Sequence, residues 1–158
     1  MSSTTTEHST AATDRSTARR ADRRTAPGGV SAGLLVLRLG LGVVFLAHGA
    51  QKVFEAGLDG TAASFAAMGV PFAEILGPVV ALLELVGGAL LILGLATRAI
   101  ALALAVDMIV AALLVHLAAG FFAADGGYEL TLVLATGALA LVLAGPGRFA
   151  LDVVFGRR

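Results

Sequence analysis

The sequence predicts an all-α, polytopic membrane protein with a four-helix transmembrane bundle. Its composition, the length of its apolar runs and their lack of a two-residue period support this class. Of 158 residues, 58% are hydrophobic and 14% are charged, with a mean hydropathy of +0.92. A soluble domain has about 25% charged and about 45–50% apolar residues. The composition therefore excludes a soluble globular, a fully disordered or a disulfide-stapled protein.

Residues 1–30 are predicted to be a disordered, basic cytoplasmic arm. This segment is rich in Ser, Thr, Ala and Arg, lacks an apolar period and carries five arginines against three acidic residues. Such a stretch buries too little apolar surface to offset its ordering entropy. A twin-arginine export signal is an alternative for Arg19-Arg20 or Arg23-Arg24. The residues after each pair are not the apolar ones that such a signal needs, so we favour an arm ahead of a signal-anchor helix.

Four apolar runs follow the arm, and each is predicted to be a transmembrane helix. They cover residues 31–50, 72–95, 98–119 and 129–144. A bilayer core needs about 20 helical residues, and only helices or closed barrels satisfy the backbone there. The runs lack the alternation of a barrel strand, so we expect each to be a helix and residues 31–148 to form one four-helix transmembrane domain.

The distribution of basic residues predicts that both termini lie in the cytoplasm. Only Ala96-Thr97 separates the second and third runs, so these form a tight antiparallel hairpin. With the N-terminus inside, every arginine is cytoplasmic and Lys52 alone is outside, which satisfies the positive-inside rule. After the helix-ending Gly145-Pro146-Gly147-Arg148 sequence, residues 149–158 are predicted to lie along the cytoplasmic interface, held by Arg157, Arg158 and anionic lipid.

Ionisable residues within the runs are predicted to form three layers. Each costs about 2.5–3.5 kcal/mol at membrane depth, so it should face the protein interior and have a partner. Arg38 and Arg98 belong near the cytoplasmic surface, and Glu84 and Asp107 near the midplane. The outer layer contains the remaining polar residues, His48, Gln51, Lys52, Glu74, His116 and Glu129.

Helical spacing predicts that three of the runs present a polar stripe to the bundle core. On the third run, Asp107 and His116 are nine residues apart. On an ideal helix this spacing places their side chains about half a turn apart around the axis, so both cannot face the bundle core. We expect His116 to face inward and leave the direction of Asp107 open. The predicted stripes are Arg38, Leu41, Phe45, His48 and Lys52; Glu74, Gly77, Ala81, Glu84 and Gly88; and Glu129, Val133, Thr136 and Ala140.

The chain has no cysteine, which excludes thiol nucleophiles, redox dithiols, iron–sulfur clusters and thiolate zinc sites. No metal site is predicted. Glu84 is either a carboxylate that ties helices together, or a proton relay or acid serving a bound quinone. His48 and His116 are either interhelical hydrogen-bonding groups or ligands, with a haem as a further alternative.

A series of motifs runs along the chain: Leu37-Arg38-Leu39-Gly40, the segment from Phe45 to Lys52, Gly69-Val70-Pro71, Glu84 to Gly88, Gly94 to Arg98, Met108, Ala111, His116, Gly120-Phe121-Phe122, Glu129 and Gly145 to Arg148. In this order, the motifs resemble those of the DoxX family of small bacterial and archaeal membrane proteins over residues 34–152. The resemblance implies a four-helix plasma-membrane protein, with relatives associated with thiosulfate:quinone oxidoreductase or with a membrane complex linking superoxide dismutase and a sulfurtransferase. Ala150 departs from the family, where a Ser is frequent.

Together, the polar stripes and the resemblance predict a subunit of a quinone-linked redox system in the bacterial plasma membrane. His48 and His116, with Arg38, are the predicted cofactor-binding residues. Glu84, Glu129 and Lys52 are the predicted catalytic residues: the carboxylates exchange protons and the ammonium stabilises negative charge.

The expected partners are membrane lipid, soluble redox enzymes and other subunits in a homo- or hetero-oligomer, with no nucleic acid. Without a redox-active side-chain motif, electrons must come from a cofactor or a partner. The alternatives are a non-catalytic membrane scaffold for soluble enzymes and a carrier of a small solute or protons.

Overall fold

The computed structural model describes residues 28–156, and the predicted all-α class is confirmed because these residues contain helices and no strand. Helix α1 spans Gly28–Ala50 and continues as a π-helical turn, Gln51–Glu55. Helix α4 spans Thr97–Ala111 and continues as a second π turn, Ala112–His116, and a 3-10 turn, Leu117–Ala119. The other elements are α2 (Gly57–Ala67), α3 (Ala73–Leu93), a 3-10 turn (Ala123–Asp125), α5 (Glu129–Ala144) and α6 (Leu151–Val154).

Within the described part of the chain, three helices are long and apolar enough to cross a membrane: Gly28–Glu55, Ala73–Leu93 and Thr97–Ala119. Helix α5 is apolar but has 16 residues, fewer than the about 20 that span a bilayer core. The fourth span and the orientation with both termini inside therefore stay predictions. Residues 1–27 of the predicted arm lie outside the described part of the chain, and so do Arg157 and Arg158.

The main helices form two antiparallel pairs, with α1 packed along α3 and α4 along α5. A hydrophobic cluster including Phe45, Leu91, Leu104 and Leu141 fills the space between the pairs. The pairs are joined by the predicted tight turn between α3 and α4, where Gly94 and Ala96 have φ angles of 71° and 48°. We call the end of the bundle that contains this turn the turn end.

Glycines bring α1 and α3 into backbone contact. A Cβ at Gly49 would overlap the backbone of Leu85, and one at Gly88 would overlap the backbone of Leu46. Small residues allow such close approach between membrane helices. The predicted stripe on α3 is buried from Gly77 to Gly88, but Glu74 at its start is exposed.

Helix α2 was not predicted, because its two glycines and mixed composition gave no amphipathic period. It is held against the ends of α1 and α3. The Thr61 hydroxyl donates a hydrogen bond to the Lys52 carbonyl over 2.9 Å. A Cβ on Gly77 would lie 2.8 Å from the Cα of Ala62, so α2 rests directly on α3. The chain after α1 therefore folds back over the bundle.

The predicted core-facing stripe on α5 is wrong. Val133, Thr136 and Ala140 are exposed, and the buried face instead contains Thr131, Leu134, Ala135, Ala138 and Leu141. The Thr136 hydroxyl donates to the carbonyls of Leu132 and Val133 in its own helix. Since this local bonding satisfies the hydroxyl, Thr136 needs no partner in the core.

The segment after α5 packs against the turn end of the bundle. The Arg38 guanidinium donates from Nη1 to the Pro146 carbonyl (2.8 Å) and from Nη2 to the Phe149 carbonyl (2.9 Å). Asp152, also buried, accepts hydrogen bonds from the backbone N–H groups of Ala96 and Thr97, each over 2.8 Å. These contacts dock α6 on the turn between α3 and α4.

Candidate functional site

A cavity of about 590 Å³ lies between α1, α3, α4 and α5, where α1 and α4 end and α3 and α5 begin. We call it the chamber, and this end of the bundle the chamber end. Its volume lies within the range of small-molecule sites, about 300–1,000 Å³. Most lining side chains are apolar. The polar lining residues are His48, Gln51, Lys52, Glu84, Asp107, His116 and Thr131.

A Lys52–Glu84 ion pair crosses from α1 to α3 at the wall of the chamber. Lys52 Nζ lies 2.5 Å from Glu84 Oε2, and the side chains are 25% and 5% exposed. Lys52 lies on the π turn after α1, and Gly49 one turn earlier lets α1 approach the backbone of α3. A carboxylate buried this deeply requires such a counter-charge. The ion pair therefore fixes the two helices where they line the chamber.

Asp107 adds a second carboxylate to the same wall. It projects from α4 into the chamber, close enough to Lys52 and Glu84 for their charges to act on it. Its Oδ2 atom is buried and has no hydrogen-bond partner among the described residues. In the described part of the chain, Lys52 pairs with Glu84, and no cation lies within 4 Å of the Asp107 carboxylate. A carboxyl group buried without such a partner requires a proton, or a donor supplied by a ligand.

Asp107 and His116 both line the chamber, although an ideal helix would place them half a turn apart. The reason is the π turn at Ala112–His116, which winds more loosely than an α-helix and changes the direction of His116. His116 Nδ1 lies 2.7 Å from the Gly126 carbonyl. Because a carbonyl only accepts, Nδ1 carries the proton, and in the neutral ring Nε2 is the acceptor.

The predicted site residues are only partly brought together. His48, Lys52, Glu84 and His116 all line the chamber. Glu129, half-buried at the start of α5, is not among the residues that line it. Arg38 is 1% exposed and donates to carbonyls at the turn end, so its guanidinium belongs to the docking of the C-terminal segment.

Sequence reasoning missed two contributions to the chamber. Asp107 was visible as a single acidic residue in an apolar run, but the unrecognised π turn left its direction undecided. Phe65 and Met68 line the chamber from α2 and the residue after it, and Val70 from the following turn. No sequence signal marked Phe65 or Met68, since the segment had no helical period. Val70 belongs to the motif Gly69-Val70-Pro71, but nothing in the sequence assigned it to a site.

Comparison with protein families and with curated proteins gives consistent matches. The model of the family described as DoxX matches residues 33–117. "Putative oxidoreductase CatD" of Bacillus subtilis is 37% identical over 120 residues, covering 76% of this chain and 84% of the relative.

Two further relatives match over similar lengths. "Uncharacterized membrane protein Rv3486" of Mycobacterium tuberculosis is 33% identical over 135 residues, covering 79% and 82% of the two chains. "Inner membrane protein YqjF" of Escherichia coli is 33% identical over 130 residues, covering 80% and 94%. No solved structure matches the chain.

Proposed function

The chain belongs to the DoxX family and is a multi-pass bacterial membrane protein, and from this premise we propose that it is a subunit of a quinone-linked membrane redox system. The observation that carries the proposal is the composition of the chamber. An apolar cavity of about 590 Å³ holds one ammonium, two carboxylates and two imidazoles. The Bacillus subtilis relative, named as an oxidoreductase, supports the same class of function.

The chamber suits the ring of a quinone on chemical grounds. Such a ring is flat and apolar, with two carbonyl oxygens that accept hydrogen bonds. The walls supply apolar contacts from Phe45, Met108 and Leu134, among others, donors from Lys52 and His48, and an acceptor from His116 Nε2. The buried Oδ2 of Asp107, which has no partner among the described residues, is an additional polar atom that a hydroxyl of the reduced ring would satisfy.

When bound, a quinone supplies two-electron, two-proton redox chemistry, and the electrons come from a partner of this chain. His48 would hydrogen-bond one ring oxygen, and His116 would accept through Nε2 from a hydroxyl of the reduced ring. Lys52 would stabilise negative charge on the ring oxygens. The bond from Nδ1 to the Gly126 carbonyl orients the ring of His116, so Nε2 is the atom that would exchange a proton with a ligand in the chamber.

The carboxylates of the chamber hold protons for this chemistry. Glu84 remains paired with Lys52, and Asp107 carries the proton that the uncompensated carboxylate requires. Asp107 thus takes the role that the sequence analysis assigned to Glu129, because Glu129 does not line the chamber. We assign no cofactor role to Arg38, because it lies at the turn end, where its Nη1 and Nη2 donate to backbone carbonyls.

A second candidate is a proton-coupled carrier of a small solute. The excess of carboxylates over ammonium groups at the chamber wall supports it, because a carboxylate that gains and loses a proton inside a membrane protein is a common feature of such carriers. A carrier would retain no redox-active molecule on purification, whereas a quinone-linked subunit would.

The test is purification in mild detergent, solvent extraction and an oxidised-minus-reduced absorption spectrum. We expect about one quinone per wild-type chain and less than a tenth of that in the His48→Ala/His116→Ala variant. Glu74→Gln is the matched control, because Glu74 is exposed and is not among the chamber residues. A folded wild type without quinone, or a double variant that retains it, would overturn the proposal.

A further inference from the structure

Helices α3 and α4 are in contact at the turn end and diverge toward the chamber end. Near the turn, a Cβ on Gly87 would lie 3.3 Å from Ile100 and 3.4 Å from Leu104, so the helices touch there. Farther from the turn, the same flank of α3 carries Val80 and Leu83, which line the chamber. The space that opens between the two helices is therefore continuous with the chamber. We call it the cleft.

The α4 side of the cleft is apolar and open to the surroundings. Val106, Val110 and Leu114 follow one another at four-residue spacing and line the chamber, yet they are 52%, 43% and 50% exposed. Met68, after α2, lines the chamber and is 45% exposed. These residues of α4 lie within the apolar span Thr97–Ala119, so the cleft faces the hydrocarbon of the bilayer.

The chamber end, by contrast, is covered by hydrogen-bonded chain. Helix α2 is tied to the carbonyl of Lys52 through Thr61. The loop between α4 and α5 is held by bonds from the N–H of Tyr128 to Gly120 and from the N–H of Glu129 to Phe121, and the ring of Phe121 packs edge-on against that of Tyr128. Gly126 and Gly127 of this loop line the chamber. Gln51, Ala123 and Gly126, which line the chamber at this end, are exposed, and each is polar or small, whereas the exposed residues of the cleft are large and apolar.

We infer that the ligand enters the chamber from within the bilayer, through the cleft between α3 and α4, and that it carries an apolar tail. The inference rests on the proposed function and narrows it to tailed, lipid-soluble quinones. The ring reaches the polar wall at Lys52 and Asp107, and the tail stays in the cleft against Val106 and Val110. An apolar rim leading to a polar wall matches the two parts of such a molecule.

The test compares two probes that differ only in the tail: a 2-methyl-naphthoquinone with a four-isoprene chain and the same ring without the chain. Val110→Trp places an indole in the cleft. Ile109→Trp is the matched control, because Ile109 adjoins Val110 on α4 and is 41% exposed, but is not among the chamber residues. The wild type has no Trp, so indole fluorescence also reports on each variant directly.

We expect wild type to bind the tailed probe at least tenfold more tightly than the tailless one. Val110→Trp should remove that advantage and change the Kd of the tailless ring less than twofold, while Ile109→Trp changes neither. Val106→Trp, at the same rim, serves if Val110→Trp does not fold. Equal affinities in wild type, or equal losses for both probes in the cleft variant, would overturn the inference alone. A wild type that binds neither probe would overturn the proposed function as well.

Discussion

Lys52 Nζ and Glu84 Oε2 are 2.5 Å apart, although the residues are 32 positions apart in the chain. The pair joins the π turn after α1 to the middle of α3. Two features of the fold produce this contact: the glycines that bring the helix backbones together, and the π turn that carries Lys52. The same contact forms one wall of the chamber, so the packing of α1 on α3 and the chemistry of the site depend on each other.

Removing one partner of this pair should destabilise the protein more than removing both. We expect Lys52→Met to lower the free energy of unfolding by about 3 kcal/mol, because it leaves the buried carboxylate of Glu84 without its cation. The Lys52→Met/Glu84→Leu variant should recover most of the lost stability, since the unpaired charge of Glu84 is also removed. Unfolding in detergent, followed by circular dichroism, gives the free energy of unfolding of the wild type and of each variant. A double variant less stable than Lys52→Met would contradict this account.

The close approach of α1 and α3 predicts different effects for two glycines of α1. At Gly49 a Cβ would overlap the backbone of Leu85, whereas a Cβ at Gly40 would meet no atom within 4 Å from the described residues outside its own helix backbone. We expect Gly49→Ala to cost about 1–3 kcal/mol by forcing the helices apart. Gly40→Ala should be neutral or stabilise by about 0.5–1 kcal/mol, as Ala favours a helix. Similar losses of melting temperature for both variants would show that contact with α3 is not the cause.

The hydropathy of the chain predicted the helical class and the positions of α1, α3, α4 and α5, because long apolar runs leave few alternatives in a membrane. The stripe on α1 was predictable for a further reason: its polar residues are few and recur at helical spacing. The prediction of the α5 stripe was wrong because α5 carries apolar residues on all of its faces. The spacing of its few polar residues therefore says little about which face is buried. The π turns and α2 depend on tertiary contacts, such as Thr61 with Lys52, that no local pattern specifies.

The docking of α6 predicts a graded effect of substitutions at Asp152. Its two oxygens accept from the N–H groups of Ala96 and Thr97 at the start of α4. We expect Asp152→Ala to lose about 2 kcal/mol, and Asp152→Asn about half of that, because an amide keeps one acceptor oxygen. Proteolytic release of the C-terminal segment should accelerate in the same order. Exposed Asp125→Asn is the control, with a change of less than about 0.5 kcal/mol.

The lack of native cysteine allows a direct test of the predicted orientation. Ala124→Cys places a thiol on the exposed loop at the chamber end, and Arg148→Cys places one at the turn end. If both termini are cytoplasmic, a membrane-impermeant maleimide added to whole cells labels Ala124→Cys alone. Permeabilised cells, the control, should show labelling of both variants. Labelling of Arg148→Cys in intact cells would reverse the predicted topology.

Asp107→Asn should separate the stability of the protein from its function. Its Oδ2 atom is buried without a hydrogen-bond partner among the described residues, and the ammonium of Lys52 pairs with Glu84. A neutral amide does not have to take up a proton to be buried there, so we expect the free energy of unfolding to rise by about 1 kcal/mol or to stay unchanged.

The same substitution should impair the proposed proton chemistry, because an amide cannot carry the proton. We expect the quinone content after purification to fall at least fivefold in Asp107→Asn, since an amide oxygen is a weaker acceptor than a carboxylate oxygen for the hydroxyl of the reduced ring. Thr136→Val, on the exposed face of α5, should leave both quantities unchanged. If Asp107→Asn instead unfolds more easily and keeps its quinone, Asp107 is a structural group, and the proton carrier of the chamber must be Glu84 or a histidine.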